Sequence, residues 1–113
     1  MSITEIHPKL PRYSFGGFCV AAIVCNDGCT LSVQASRMHY CEPRVNEGPH
    51  TKFEVLIVEP GPDGYYEPLL QDYSGDCSPD GDRIFMYVPA NVIDAVIEGH
   101  GGINKEKTYG NNS

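Results

Sequence analysis

The sequence predicts an α+β domain: a small antiparallel sheet of about four strands, ordered β-β-β-loop-β-α, with one C-terminal helix packed on it. Three observations predict it. Apolar residues alternate with a period of two over Cys29–Ser36 and through most of Lys52–Glu59, as in strands whose successive side chains face opposite ways. Asn26-Asp27-Gly28 lies between two apolar runs, and these residue types tolerate the positive φ that hairpin turns need. Val92, Ile93, Val96 and Ile97 share one stripe of a helix that Pro89 can open.

Residues 1–15 contain Pro8 and Pro11 and read as an extended arm. The run Phe18–Cys25 is apolar on both alternating faces, the pattern of a strand buried on both sides. In the returning strand Leu31, Val33 and Ala35 form an apolar face; Thr30, Ser32, Gln34 and Ser36 form a polar, half-exposed one. A loop follows over residues 37–51, with Pro43, Gly48 and Pro49. Phe53, Val55 and Ile57 line one face of the third strand, which Pro60-Gly61-Pro62-Asp63-Gly64 ends. Residues 65–82 read as irregular, with one helical turn near Glu67–Tyr73. Arg83–Val88 reads as the fourth strand, with Ile84, Phe85, Met86, Tyr87 and Val88. The helix after Pro89 stops at Gly99, Gly101 and Gly102, and residues 104–113 read as a flexible polar tail.

At 113 residues the chain has room for one domain, taken as 1–113. Its net charge of −7 argues against direct nucleic-acid binding, which relies on Lys and Arg to release counterions from phosphate. No apolar run approaches the ~18 residues of a membrane span, and Met1–Pro11 has no apolar signal core. A cytoplasmic protein with reduced thiols is expected, its five cysteines being unevenly spaced.

Charge is unevenly distributed. Glu59, Asp63, Glu67, Asp72, Asp76, Asp80 and Asp82 follow one another with no Lys or Arg between them, and they equal the whole net charge. Glu67, Asp72, Asp76, Asp80 and Asp82 are therefore candidates for contact with a basic partner surface; a solvated acidic loop is the alternative. The other long loop is basic and polar. Gln34, Ser36, Arg37, His39, Tyr40 and Arg44 are candidate ligand-binding residues: the guanidinium forks suit phosphate or carboxylate, and Tyr40 offers a stacking face. The alternative is that Gln34 and the arginines brace the loop against backbone carbonyls and carboxylates such as Glu54.

Other chemistries fare worse. Cys25, Cys29, His39 and Cys41 are zinc-type ligands, but Cys-x3-Cys followed by His-x-Cys is an uncommon spacing for zinc. Asp76–Asp82 imitates half of a calcium loop, but Tyr87 stands where the bidentate Glu belongs. Cys41 and His39 lack an assignable third group for nucleophilic catalysis. No metal, cofactor or catalytic residue is assigned, and a binding protein is expected in preference to an enzyme.

Val33-Gln34-Ala35-Ser36, His39-Tyr40-Cys41 with Pro43-Arg44, Gly48-Pro49, and Tyr87-Val88-Pro89 with His100-Gly101-Gly102-Ile103 resemble small accessory proteins of tailed bacteriophages, over roughly Gly28–Ile103. The resemblance carries no activity or site residue with it. It implies a protein made in the cytoplasm of an infected bacterium. Size and context then suggest an inhibitor that occupies a host protein, such as a CRISPR-type defence complex. The alternative is a protein that sequesters a small anionic ligand or nucleotide through the Arg37–Arg44 loop; a component of the virion is a third reading.

Overall fold

Asn26-Asp27-Gly28 makes the turn it predicts. The Gly28 N–H donates to the Cys25 carbonyl at 3.0 Å, and the Cys25 N–H donates to the Cys29 carbonyl at 2.8 Å. Gly28 has φ +99°, and a Cβ there would meet nothing within 4 Å. The backbone angle, not crowding, therefore demands glycine, as in a three-residue hairpin loop closed by a left-handed residue.

The computed structural model of the chain describes residues 2–13, 19–62, 64, 67–74 and 84–109. In chain order the helices and strands are α1 (Ile3–Ile6), β1 (Arg12–Tyr13), β2 (Cys19–Val20), β3 (Ile23–Val24), β4 (Thr30–Gln34), β5 (Lys52–Glu59), β6 (Ile84–Pro89), α2 (Ala90–Gly99) and α3 (Lys105–Tyr109). Short 3-10 helices cover His7–Lys9 and Pro68–Tyr73. The main sheet is antiparallel in the order β3-β4-β5-β6, with β1 and β2 forming a separate pair. This is the expected α+β architecture, with α2 directly after the last strand. No helix among the described residues is long and apolar enough to cross a membrane.

Leu31 and Val33 of β4, Phe53, Val55 and Ile57 of β5, and Phe85 and Val88 of β6 join Ile93, Val96 and Ile97 of α2 in one buried cluster. Two departures from the sequence reading concern the ends. Residues 1–15 are not an extended arm throughout: α1 and the following 3-10 turn bury Ile3, Ile6 and Leu10 in the core. Ser2-Ile3-Thr4-Glu5 is a Ser-x-x-Glu helix start, and Pro8 sits at the head of the 3-10 turn, where its missing N–H is tolerated. Asp94 of α2 holds this helix in place, its carboxylate accepting from the Ile3 N–H at 2.6 Å and the Ser2 hydroxyl at 2.8 Å. The tail is likewise ordered through α3, where Thr108 is buried.

The apolar run Phe18–Cys25 is a broken strand rather than one continuous strand; Phe18 itself lies outside the described residues. β2 pairs with β1, β3 pairs with β4, and Ala21-Ala22 lie between. Backbone groups at the break still need partners, and side chains supply them. The Gln34 amide accepts from the Val20 N–H and donates to the Val20 carbonyl, both at 2.9 Å. The Thr108 hydroxyl accepts from the Val24 N–H at 2.9 Å and donates to the Val24 carbonyl at 3.2 Å. The polar face that runs from β4 into the following loop is buried at Gln34 and Ser36, where the alternation predicts a half-exposed face.

Gln34→Leu keeps the volume but strands two buried backbone groups on Val20. Unsatisfied groups of this kind cost about 1–3 kcal/mol each, so urea unfolding should show a loss of about 2–4 kcal/mol, with an unchanged m-value. A loss below about 0.5 kcal/mol would mean that water replaces the amide without penalty.

Candidate functional site

The loop leaving β4 folds inward on its own polar groups. The Ser36 hydroxyl accepts from the Met38 N–H at 3.0 Å and lies 2.6 Å from His39 Nδ1. The Ser36 carbonyl accepts from the buried Cys41 thiol at 3.1 Å. The Arg37 N–H donates to Asn46 Oδ1 at 3.1 Å, and the Tyr40 N–H donates to Glu54 Oε1 at 3.2 Å. Burial lowers the pKa of His39, with the Glu54 charge opposing. Of the six expected ligand-binding residues, Gln34 and Ser36 are buried and occupied within the chain, and His39 is half-buried against Ser36. They brace the loop rather than line an open pocket.

Arg37, Tyr40 and Arg44 remain at the surface. The Arg44 guanidinium carbon stands 5.1 Å from the Tyr40 ring centroid, a cation–π arrangement. Tyr40 in turn lies 6.1 Å from the ring of Tyr87, a residue that the sequence reading left in the sheet. A bulge put it there. Phe53 pairs with Val88 and Val55 with Phe85, so Met86 and Tyr87 together oppose the single residue Glu54. Phe85 and Val88 thereby both face the core, while Tyr87 is turned out at φ +55°. The left-handed region costs a residue with a Cβ roughly 1–2 kcal/mol. The Tyr87 N–H donates to the Tyr40 carbonyl at 3.1 Å, which ties strand and loop together. Met38 and Val45 of the same loop are 66% and 48% exposed. Only the bulge could have announced Tyr87, and an apolar strand of six residues carries no mark of one.

The acidic segment divides differently. Glu67 starts the second 3-10 helix, with Oε1 accepting from the Leu69 N–H at 3.4 Å. Its other oxygen lies 3.0 Å from His100 Nε2, while Asp27 Oδ2 lies 2.6 Å from His100 Nδ1. Gly61 leaves room for this bracket: a Cβ there would come within 3.0 Å of His100 Nδ1 and 3.1 Å of Asp27 Oδ2. Glu67 is therefore an internal partner of His100. Asp72 is exposed; Asp76, Asp80 and Asp82, and with them the calcium-like stretch, lie outside the described residues. Burial works against a charged His100, but the hydrogen bonds to Asp27 and Glu67 prevail and raise its pKa.

Cys25 and Cys29 face each other across the hairpin, and both are buried. A thiol–thiol hydrogen bond lowers the pKa of Cys29 and raises that of Cys25, which burial raises further. His39 and Cys41 bond to Ser36 instead of joining them. Among the described residues no group of three or more His, Cys, Asp or Glu side chains is placed to hold a metal ion. No family model matches the chain, and no curated protein or solved structure shows significant similarity to it.

The bracketed His100 has a pH signature. Its folded-state pKa lies above the unfolded value of 6.5, so the folded chain holds the proton more tightly and stability falls as pH rises through that folded value. His100→Gln should lower stability by about 2 kcal/mol near pH 6, the scale of hydrogen bonds to a charged group. The difference from wild type should shrink toward pH 9. Urea titrations across this range check it; a difference independent of pH would mean that His100 is held neutral.

Proposed function

We propose that the chain is a binding protein, not an enzyme, and that it occupies a partner protein through the surface formed by Tyr40, Arg44 and Tyr87 with Met38 and Val45. The observation that carries this reading is Tyr87: an exposed aromatic ring held at a left-handed backbone position against Tyr40. Strain of this kind persists where surrounding structure imposes it, and it gathers at functional sites. Tyr, Arg and Met are enriched at the centres of protein interfaces, and tyrosine anchors lose little conformational entropy when covered. The brace beneath them, from Ser36, Cys41 and Glu54, holds the anchors in shape before contact.

The net charge of −7 favours a partner with a basic surface, since complementary charge speeds encounter. Asp72, Asp76, Asp80 and Asp82 belong to this steering role rather than to the anchoring centre. The resemblance to phage accessory proteins makes a protein of the infected bacterium, such as a defence complex, the natural target, met in the host cytoplasm.

Tyr87→Gly separates function from folding. It relieves the positive φ and should leave stability unchanged or raise it by about 1 kcal/mol. Tyr40→Ala and Tyr87→Gly should each weaken partner binding at least tenfold, about 1.4 kcal/mol or more. Charge reversal at Asp72, Asp76 and Asp80 should instead slow association, most at low salt. Capture from bacterial lysate identifies the partner, and surface plasmon resonance with these variants measures both effects. Binding that survives both tyrosine substitutions would remove this surface from the interface.

A further inference from the structure

Two thiols meet at the mouth of the hairpin, away from the tyrosine surface. In the β3–β4 register Ile23 faces Leu31 and Val24 faces Thr30. The next opposed pair is Cys25 and Cys29, where the Cys25 N–H donates to the Cys29 carbonyl at 2.8 Å. Both side chains lie on the face that buries Ile23 and Leu31. Directly opposed residues of antiparallel strands stand about 4.5–5.5 Å apart at Cα, within the roughly 4.4–6.8 Å that a disulfide spans. Both cysteines are free thiols.

The surroundings give the two sulfurs different parts. The hydrogen bond between them favours a thiolate on Cys29 with the proton kept on Cys25. Burial opposes that thiolate. The His100 charge favours it, and Asp27 and Glu67, the carboxylates that bracket His100, oppose it. The turn itself brings His100 here: the Asn26 N–H donates to the Gly102 carbonyl at 2.9 Å and the Asp27 N–H to the His100 carbonyl at 3.2 Å. Cys25 and Cys29 are 1% and 3% exposed, whereas Asn26, Asp27 and Gly28 between them are exposed. The pair therefore sits one layer beneath the surface, within reach of an oxidant hardly larger than water and out of reach of a bulky disulfide.

We infer that Cys25 and Cys29 form a redox-active dithiol that takes a small hydroperoxide as its oxidant and closes to a reversible disulfide. The thiolate is the nucleophile in such chemistry. Cys29 attacks one peroxide oxygen; its S–O bond forms as the O–O bond breaks, leaving a sulfenic acid and hydroxide. Cys25 then attacks the oxidised sulfur, as a second thiol beside a sulfenic acid does. The S–S bond forms, the S–O bond breaks, and the Cys25 proton leaves with the hydroxyl as water. The two sulfurs together lose two electrons, and both peroxide oxygens are reduced. His100 touches neither reacting oxygen and acts through its charge on Cys29. Disulfides that come and go in this way are the kind found in reducing compartments.

The reduced full chain, folded and at neutral pH, is treated with a few equivalents of hydrogen peroxide, alkylated and mapped by fragment-ion mass spectrometry. Wild type should show Cys25 joined to Cys29, each having lost one hydrogen, and a dithiol reductant should reverse the link. Cys25→Ala should leave a sulfenic acid on Cys29 that dimedone captures; Cys29→Ala should give no dimedone adduct on Cys25. Oxidised glutathione at the same concentration should leave both thiols free. His100→Gln should slow closure about tenfold at neutral pH and move the midpoint of the pH–rate profile upward, so that the two rates converge in alkali. The wild-type map decides even where an alanine variant unfolds. The inference is overturned if peroxide leaves Cys25 and Cys29 unlinked or joins either one to Cys19, Cys41 or Cys77 instead. It is equally overturned if dimedone finds Cys25 rather than Cys29, if oxidised glutathione reacts as fast as peroxide, or if His100→Gln leaves the pH profile in place.

Discussion

The fold depends on how the backbone of one interrupted strand is satisfied. Residues 19–24 are too short on either side of Ala21-Ala22 to complete a ladder with their neighbours. Val20 would otherwise bury an unpaired N–H and C=O, and Val24 would leave its N–H without a partner. Gln34 and Thr108 each offer a donor and an acceptor to a single residue, so a side chain substitutes for a strand. The two substitutes come from distant parts of the chain. Gln34 fixes β2 beneath the start of the loop that carries Tyr40, and Thr108 draws α3 onto β3. The C-terminal helix is thus part of the sheet's hydrogen-bond accounting.

The same economy explains the polar loop after β4. A row of Gln, Ser, Arg, His and Tyr looks like a ligand site because its side chains are chemically capable. Most of that capability is spent inside the chain, on the Met38 amide, the Val20 peptide groups and the His39 ring. The product is rigidity. Side chains that are left over, Tyr40 and Arg44, stand on a platform that cannot easily rearrange, and a preformed contact surface loses less entropy on binding.

Regular periodicity was legible in the sequence, and irregularity was not. β5 begins and ends at Lys52 and Glu59 as its alternation predicts, and the stripe of α2 buries Ile93, Val96 and Ile97. The hairpin at Gly28 follows from residue chemistry alone. By contrast, α1 is four residues long, too short for a helical period, although its Ser-x-x-Glu start was there to be read. The β6 bulge depends on register against β5, a tertiary property, so neither the outward turn of Tyr87 nor its meeting with Tyr40 could be read from spacing. His7 and His50, far apart in sequence, meet at the ring of Phe53 through the 3-10 turn after α1, which the arm reading had left outside the core.

The margins of the sheet set the manner in which anything can recognise it. Along β3 the Asn26 N–H donates to the Gly102 carbonyl, the Asn104 N–H donates to the Val24 carbonyl, and Cys25 bridges Ile103. Along β6, Ser74 bridges Phe85, and Tyr40 takes the Tyr87 N–H. Both outer strands already have backbone company. Such margins resist the strand-by-strand stacking that leads to fibres, and they offer little to a partner that would dock by donating a strand of its own. Whatever meets this protein must read it by shape and side chain, so its specificity is open to change one residue at a time without disturbing the fold.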